Sequence, residues 1–216
     1  MMAKWRIAFK MNQNEVVQLA DKVNYLGNNT AASADKISDV VTRIGPLGEV
    51  GGVASGEVAA LGASIIATGT ESEVAATGIK NLVLGLTVGS GATERQSAAF
   101  ASLRLDAEDM AKKMQVDAKG AIISVMEALK RLNPEEQAST LKDLFGKESI
   151  GAIALLLSNL DMLKANFEMV GINGAYAGSM LKEFEARVAM SENATLLMKN
   201  VMDAVSISFG QFFCQL

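Results

Sequence analysis

Apolar residues recur at steps of three and four along most of the chain, and strict alternation is nearly absent, so the pattern predicts helices. The first stripe runs from Glu15 to Leu26, with Val16, Leu19, Ala20, Val23 and Leu26 on one face and Gly27, Asn28 and Asn29 as its stop. Ser33 reads as the N-cap of a second helix carrying Ile37, Val40, Val41 and Ile44; Gly45 supplies its left-handed end and Pro46 bars continuation. The stretch GPLGEVGGVASG, Gly45 to Gly56, reads as a loop or a close backbone crossing. From Ser55 the stripe resumes through Val58, Leu61, Ile65 and Ile66, and it breaks at Gly69.

Thr70 to Glu73 has the spacing of a capping box for a helix from Glu71 to Leu86, which GSG at Gly89 to Gly91 ends. A short helix follows with Ala98, Phe100 and Leu103. Asp106 and Asp117 are caps for Ala107 to Met114 and for Ala118 to Leu132, where Lys130 and Arg131 suit the negative helix end. Asn133, Pro134, Glu135 and Glu136 make the clearest start signal: a cap, a fixed first dihedral and acids at the positive end. Leu141, Leu144 and Phe145 complete that stripe, Gly146 ends it, and Lys147 to Ser149 begin a helix with Ile150, Ile153, Leu156 and Leu157 inside.

After Gly171 and Gly174 no proline intervenes, and Tyr176, Met180, Phe184, Val188, Leu197, Val201, Val205 and Phe209 mark one long helix from Tyr176 to Phe213. At 1.5 Å per residue its roughly 38 residues would reach about 57 Å, more than a compact domain needs. The expected fold is therefore all-α: a compact multi-helix core of short helices over residues 1–174, then an extended C-terminal helix over 175–216 with its last residues frayed.

Composition narrows the chemistry. Half of the 216 residues are hydrophobic but only 5% are aromatic, with Gly 19 and Met 12, which suits close helix packing. A net charge of -4 without a basic block gives counterion release little to act on, so specific nucleic-acid binding is not expected. The single Cys214 excludes an internal disulfide framework. MMAKWRIAFK has charges where a signal peptide needs its apolar centre, and no run of 18 apolar residues appears.

The Gly146-Lys147 pair invites a phosphate-loop reading, which fails at both ends. Leu141 stands where the early glycine belongs, and Glu148 replaces the metal-binding hydroxyl with a carboxylate that repels phosphate. With no histidine, Ser-His-Asp and Cys-His nucleophiles and histidine metal ligands are excluded. The acids Glu71 with Glu73, Glu135 with Glu136 and Glu183 with Glu185 lie in first turns or on polar faces and read as solvated surface. The glycines of 45–56 lack dinucleotide spacing. Met110, Met114, Met126, Met162, Met169, Met180, Met190, Met198 and Met202 are core filling by default and an adaptable partner face otherwise. No catalytic, cofactor-binding or metal-binding residue is assigned.

Five collinear blocks carry a resemblance: NYLGNNTAASADKISDVVTRIG, EVAATGIKNLVLGL, DAKGAIISVMEALKRLNPEEQASTLKDLFGKESIGAIA, LLSNLDMLKANF and YAGSMLKEFEAR. The chain resembles the conserved core of phage tail tape measure proteins from about Val16 to Asn200, and least at MMAKWRIAFK and SFGQFFCQL. Members are much longer, so the resemblance is to a portion of one, a fragment or a truncated prophage copy. Where the family pattern has Ala-Pro-Leu-Leu, this chain reads Ala154, Leu155, Leu156 and Leu157, and loss of that kink is expected to extend the helix.

The resemblance implies a non-enzymatic structural role: spanning the tail lumen, templating tube polymerisation and setting tail length. It also implies other copies of the chain, the tail tube protein and tail assembly chaperones as partners, in a virion tail assembled in the bacterial host cytoplasm. The alternative reading is a helical host-interaction or membrane-active module without catalysis; a cell-wall hydrolase ranks third, since its catalytic constellation is missing.

Overall fold

A computed structural model describes residues 2–48, 50–171 and 174–213. Among the described residues there are twelve α-helices, two short 3-10 turns and no strand. They divide into two units, one ending at Ala177 and one starting at Gly178.

The first unit is built around α4 (Ser55–Ile66), in which every residue from Val58 to Ile66 is buried. A helix apolar all round has to be enclosed, and α2 (Gln13–Asn29), α3 (Ala34–Gly48), α5 (Ser72–Leu86), α10 (Ile150–Ser158) and α11 (Leu160–Gly171) pack against it. Each surrounding helix turns its apolar stripe inward, as with Leu19, Val23 and Leu26 of α2 and Ile37, Val40, Val41 and Ile44 of α3. The helices α6 (Glu94–Ser102), α7 (Ala107–Val116), α8 (Ala118–Lys130) and α9 (Pro134–Phe145) form a second group, joined to the first through α5, α10 and α11. A buried polar pair crosses the core: Asn166 Nδ2 donates to Ser64 Oγ at 2.9 Å, and Ser64 Oγ donates to the Ala60 carbonyl at 2.8 Å. With its donors and acceptors partnered, the pair avoids the desolvation penalty of an orphaned group.

Several helix starts match the sequence signals. Asp106 accepts from the amides of Glu108 and Asp109, Asp117 from Gly120, and Asn133 from Glu136, with Pro134 in the first turn. Gly146, at φ +80, ends α9.

Others differ. Thr70 forms no capping box: α5 starts after Glu71, which makes no side-chain cap, and the Thr70 hydroxyl lies 3.2 Å from that of Thr68. The Glu71 carboxylate is drawn instead to Lys36 Nζ on α3 at 3.0 Å. Complete capping boxes occur at Asn12 with Glu15 and at Thr93 with Gln96. At the start of α4 only half a box is possible, because Ala54 has no acceptor; its amide donates to Glu57 Oε2 at 3.0 Å.

Gly45 is not a helix end. The helix α3 continues through Gly45 and Pro46 to Gly48, so GPLGEVGGVASG is helix at both ends with a short turn between. Proline forfeits its own backbone bond and crowds the carbonyl four residues back, and with α3 ending two residues later no further turn is built on that disruption. A Cβ on Gly45 would sit 2.8 Å from Ala8 Cβ and 3.1 Å from Phe9 Cε2, so this glycine admits α1 (Met2–Ala8), a helix the periodicity did not announce. Trp5 anchors α1, 3% exposed, its Nε1 donating to Thr42 Oγ1 at 2.8 Å.

The proline-free run Ala154 to Leu157 does not lengthen its helix. The helix α10 stops at Ser158, Asn159 leaves helical geometry with its Nδ2 donating to the Leu155 carbonyl at 2.9 Å, and α11 departs at 81°. The Leu155 carbonyl accepts from both the backbone and the side-chain amide of Asn159, so the last turn is closed by the asparagine itself and no proline is needed.

The long helix also starts later than expected, as α12 (Ser179–Phe213), 35 residues. Tyr176 is not on it: its ring is 6% exposed in the first unit, with Lys22 Nζ 4.9 Å from the ring centroid. Residues 214–216 and the side chains of Glu192 and of 200–216 lie outside the description, including the expected stripe positions Val201, Val205 and Phe209.

One surface network joins α3 to α5 and responds to pH. Asp39 accepts from the Ser72 hydroxyl and from Arg43 Nε at 2.9 Å, and these bonds, the Ser72 one foremost, hold its carboxyl below the usual carboxylate range. A lowered folded-state value contributes stability above the ordinary carboxylate pKa of about 4 and loses it as pH falls below that. Urea midpoints at pH 7 and pH 3 should therefore differ less in Ser72→Ala than in the parent chain. Asp39 faces solvent, so the difference stays below about 1 kcal/mol.

Candidate interaction surface

None of the chemical motifs in the sequence assembles into a reaction centre. At Gly146 a Cβ would lie 3.0 Å from Glu148 Oε1, so a carboxylate folds over the glycine where a phosphate would have to sit. Asn81 Nδ2 holds this turn, donating to Ser149 Oγ at 2.6 Å and to Glu148 Oε1 at 3.2 Å. Lys147 simply starts the 3-10 turn into α10. Three of the paired acids are surface ion-pair partners, Glu71 with Lys36, Glu73 with Arg43 at 3.8 Å and Glu183 with Arg187, while Glu135 and Glu136 lie in the first turn of α9. No group of three or more His, Cys, Asp or Glu side chains among the described residues has metal-binding geometry.

One carboxylate that sequence reading passed over is perturbed. Burial pushes the Glu57 carboxyl above its ordinary range, and nearby Asp117 pushes the same way, while the Ala54 amide, Lys119 and Lys22 oppose them. Its geometry is that of a helix cap, with the Ala54 amide as its partner. The only sequence signal was an acid three positions into a helix, which marks caps far more often than acids in catalysis.

What the described surface does offer is an apolar helix face. On α12, Leu181 is 59% exposed, Phe184 64% and Met198 68%, with Val188 beside them. Phe184, Arg187, Val188, Ser191, Thr195 and Leu196 line a shallow groove along this helix. The methionines sort accordingly: Met110, Met114 and Met126 are buried in the first unit, whereas Met190 and Met198 face solvent on α12. Large apolar side chains grouped on one helix are a surface for a partner rather than scattered exposure. Among the described residues, no single helix is long and apolar enough to cross a membrane.

The sequence comparisons identify the family. The profile of phage-related minor tail proteins matches residues 1–146. The chain belongs to that family. The family is one of phage tail components.

This minor tail protein is similar to the "Probable tape measure protein" of Halomonas phage phiHAP-1, 38% identical over 184 residues, which is 85% of this chain and 21% of the relative. It is also similar to the "Probable tape measure protein" of Escherichia phage P2, 26% identical over 204 residues, 83% of this chain and 23% of that one. The chain thus spans about a fifth of the length of the curated relatives it matches. No solved structure matches it. The family match begins at residue 1 and so includes MMAKWRIAFK, where the sequence blocks gave least resemblance; α1, docked by Trp5 and received by Gly45, is the physical counterpart.

Proposed function

We propose that this chain is a region of a tape measure that spans the tail lumen, templates polymerisation of the tail tube around itself and sets tail length, without catalysis. The observation that carries the reading is the similarity of more than four fifths of the chain to two proteins named as probable tape measures. The physics agrees with it. Helical rise is fixed per residue, so a helical rod converts a count of residues into a distance, and the 35 residues of α12 correspond to about 52 Å.

Two working parts follow from this reading: a compact helical unit that docks, and an extended helix that lies along the tube axis. The partners are the tail tube protein, further copies of the chain and, before assembly, tail chaperones that cover the exposed apolar face of α12. Assembly takes place in the host cytoplasm before the chain enters the virion tail.

Deletion of the gene encoding this chain from its phage is expected to leave no tails of normal length when lysates are examined by negative-stain electron microscopy. Tails of unchanged length distribution in the deletion would refute the reading.

A further inference from the structure

Residues 174–178 lead into α12 as a strap with a glycine at each end and an anchored ring in the middle. Gly174 stands at φ +104 and Gly178 at φ +73, and at neither would an added Cβ meet an atom within 4 Å. Space does not demand glycine at these two positions; the left-handed backbone does. Between them Tyr176 is buried in the first unit, with Lys22 Nζ 4.9 Å from its ring centroid, a separation at which an ammonium is attracted to an aromatic face. A second glycine aims that lysine. A Cβ on Gly56, at the start of α4, would stand 3.0 Å from Lys22 Cδ, so the bare backbone there lets the lysine stem lie across α4 and carry its charge over the ring.

The strap is also written as helix. Ala175, Tyr176 and Ala177 bring no proline and no β-branched side chain, and alanine is the best helix former. Counting back from Val188, the positions Phe184, Leu181, Ala177 and Gly174 follow at steps of 4, 3, 4 and 3. The same count reaches Val170, Phe167, Leu163 and Leu160, the buried stripe of α11, at steps of 4, 3, 4 and 3. A segment that had only to connect two helices would be free to lose this phase, and it keeps it. Helices ordinarily start from extended backbone at a capping Ser, Thr, Asn or Asp, whereas Gly178 with its positive φ precedes Ser179.

We propose that Tyr176 over Lys22 is a latch, and that residues 174–178 are a strap which winds into helix when the ring leaves the first unit, lengthening α12 at its N-terminal end. Five residues at 1.5 Å each add about 7.5 Å. The two glycines serve both states: they admit the left-handed turns while the ring is held, and as poor helix formers they keep the strap from winding before its release. The latch stands on the fold of the first unit. That the added length counts toward a tail rests on the tape-measure reading.

The experiment uses the full chain carrying Gly174→Ala and Gly178→Ala together. Neither methyl group meets an atom in the latched form, so the pair acts on the backbone alone, penalising the left-handed turns and favouring helix by roughly a hundredfold or more. Acetylation by N-acetylimidazole, mapped by peptide mass spectrometry with Tyr25 as internal reference, reads the ring, and amide hydrogen exchange reads the strap. In the latched form Lys182 N donates to the Gly178 carbonyl at 3.0 Å, and winding supplies the carbonyls of 174–177 to the amides of 178–181. Relative to the parent chain, Tyr176 should acetylate about tenfold faster or more while those amides exchange about tenfold slower or more. Gly178→Ala alone should move both readouts the same way by a smaller factor, and Gly178→Asn should move them less again, because asparagine tolerates left-handed backbone. A ring that stays protected in the double variant overturns the latch. So does a ring that is freed while the amides exchange as fast as before or faster, since that strap melts instead of winding. Each of these outcomes leaves the tape-measure reading standing, since that falls only on normal tails in the gene deletion.

Discussion

Phe167→Ala is expected to lower the unfolding free energy by about 3–5 kcal/mol, the range for emptying a buried aromatic site in a core. Phe167 is 1% exposed on α11, the helix that lies against the enclosed α4. Alanine is the best helix former, so the substitution leaves the helix itself intact and isolates the core contribution. A loss of that size is about a fifth or more of the 5–15 kcal/mol that holds a typical domain together, so a large fall in the urea midpoint is expected. Val116→Ala is the matched control. Val116 is 89% exposed, and its change should stay within about 0.5 kcal/mol. Equal midpoints for the two variants would show that α11 is not part of the cooperative core.

Gly52→Ala is the second large effect, and Gly69→Ala separates its two causes. Both glycines have positive φ, +70 and +90. At Gly69 nothing lies within 4 Å of an added Cβ, so alanine there meets only the left-handed backbone penalty of about 1–2 kcal/mol. At Gly52 the Cβ would stand 2.4 Å from the Met114 carbonyl oxygen and 2.9 Å from Gln115 Cα, backbone atoms of α7 that no rotamer change can move. Overpacking of that kind adds about 1–3 kcal/mol. Gly52→Ala should therefore unfold at a clearly lower denaturant concentration than Gly69→Ala; matching midpoints would mean that α7 shifts away from the turn without penalty.

These cases also show which parts of the fold were readable in the sequence. Asp106, Asp117 and Asn133 were legible as caps because donor and acceptor lie within three residues, so the signal and the bond occupy the same short stretch. Gly45 and Thr70 were misread because their fates were decided at a distance. Ala8 and Phe9 make Gly45 a docking position, and Lys36 turns the neighbouring Glu71 toward α3. The helix α1 has no stripe to betray it; one tryptophan bonded to Thr42 holds it, and burial of that kind leaves no period. Asn159 ended α10 where attention to a missing proline pointed to continuation.

The candidate surface was legible only in part. Of the stripe read in the sequence, Phe184, Val188 and Leu197 are exposed on α12, whereas Tyr176 is buried in the first unit over Lys22. The failed phosphate loop was legible twice over, first as Glu148 in place of a hydroxyl and then as a carboxylate folded onto Gly146.

The burial of Trp5 also supplies an optical handle. It is the chain's one tryptophan, and it sits almost dry against Thr42. Emission excited at the red edge of the absorption band therefore comes from a single indole and reports the undocking of α1 from α3. If the first helix peels away ahead of the remainder, a spectral red shift will precede the loss of far-ultraviolet ellipticity, and a stopped-flow trace can time the two events separately.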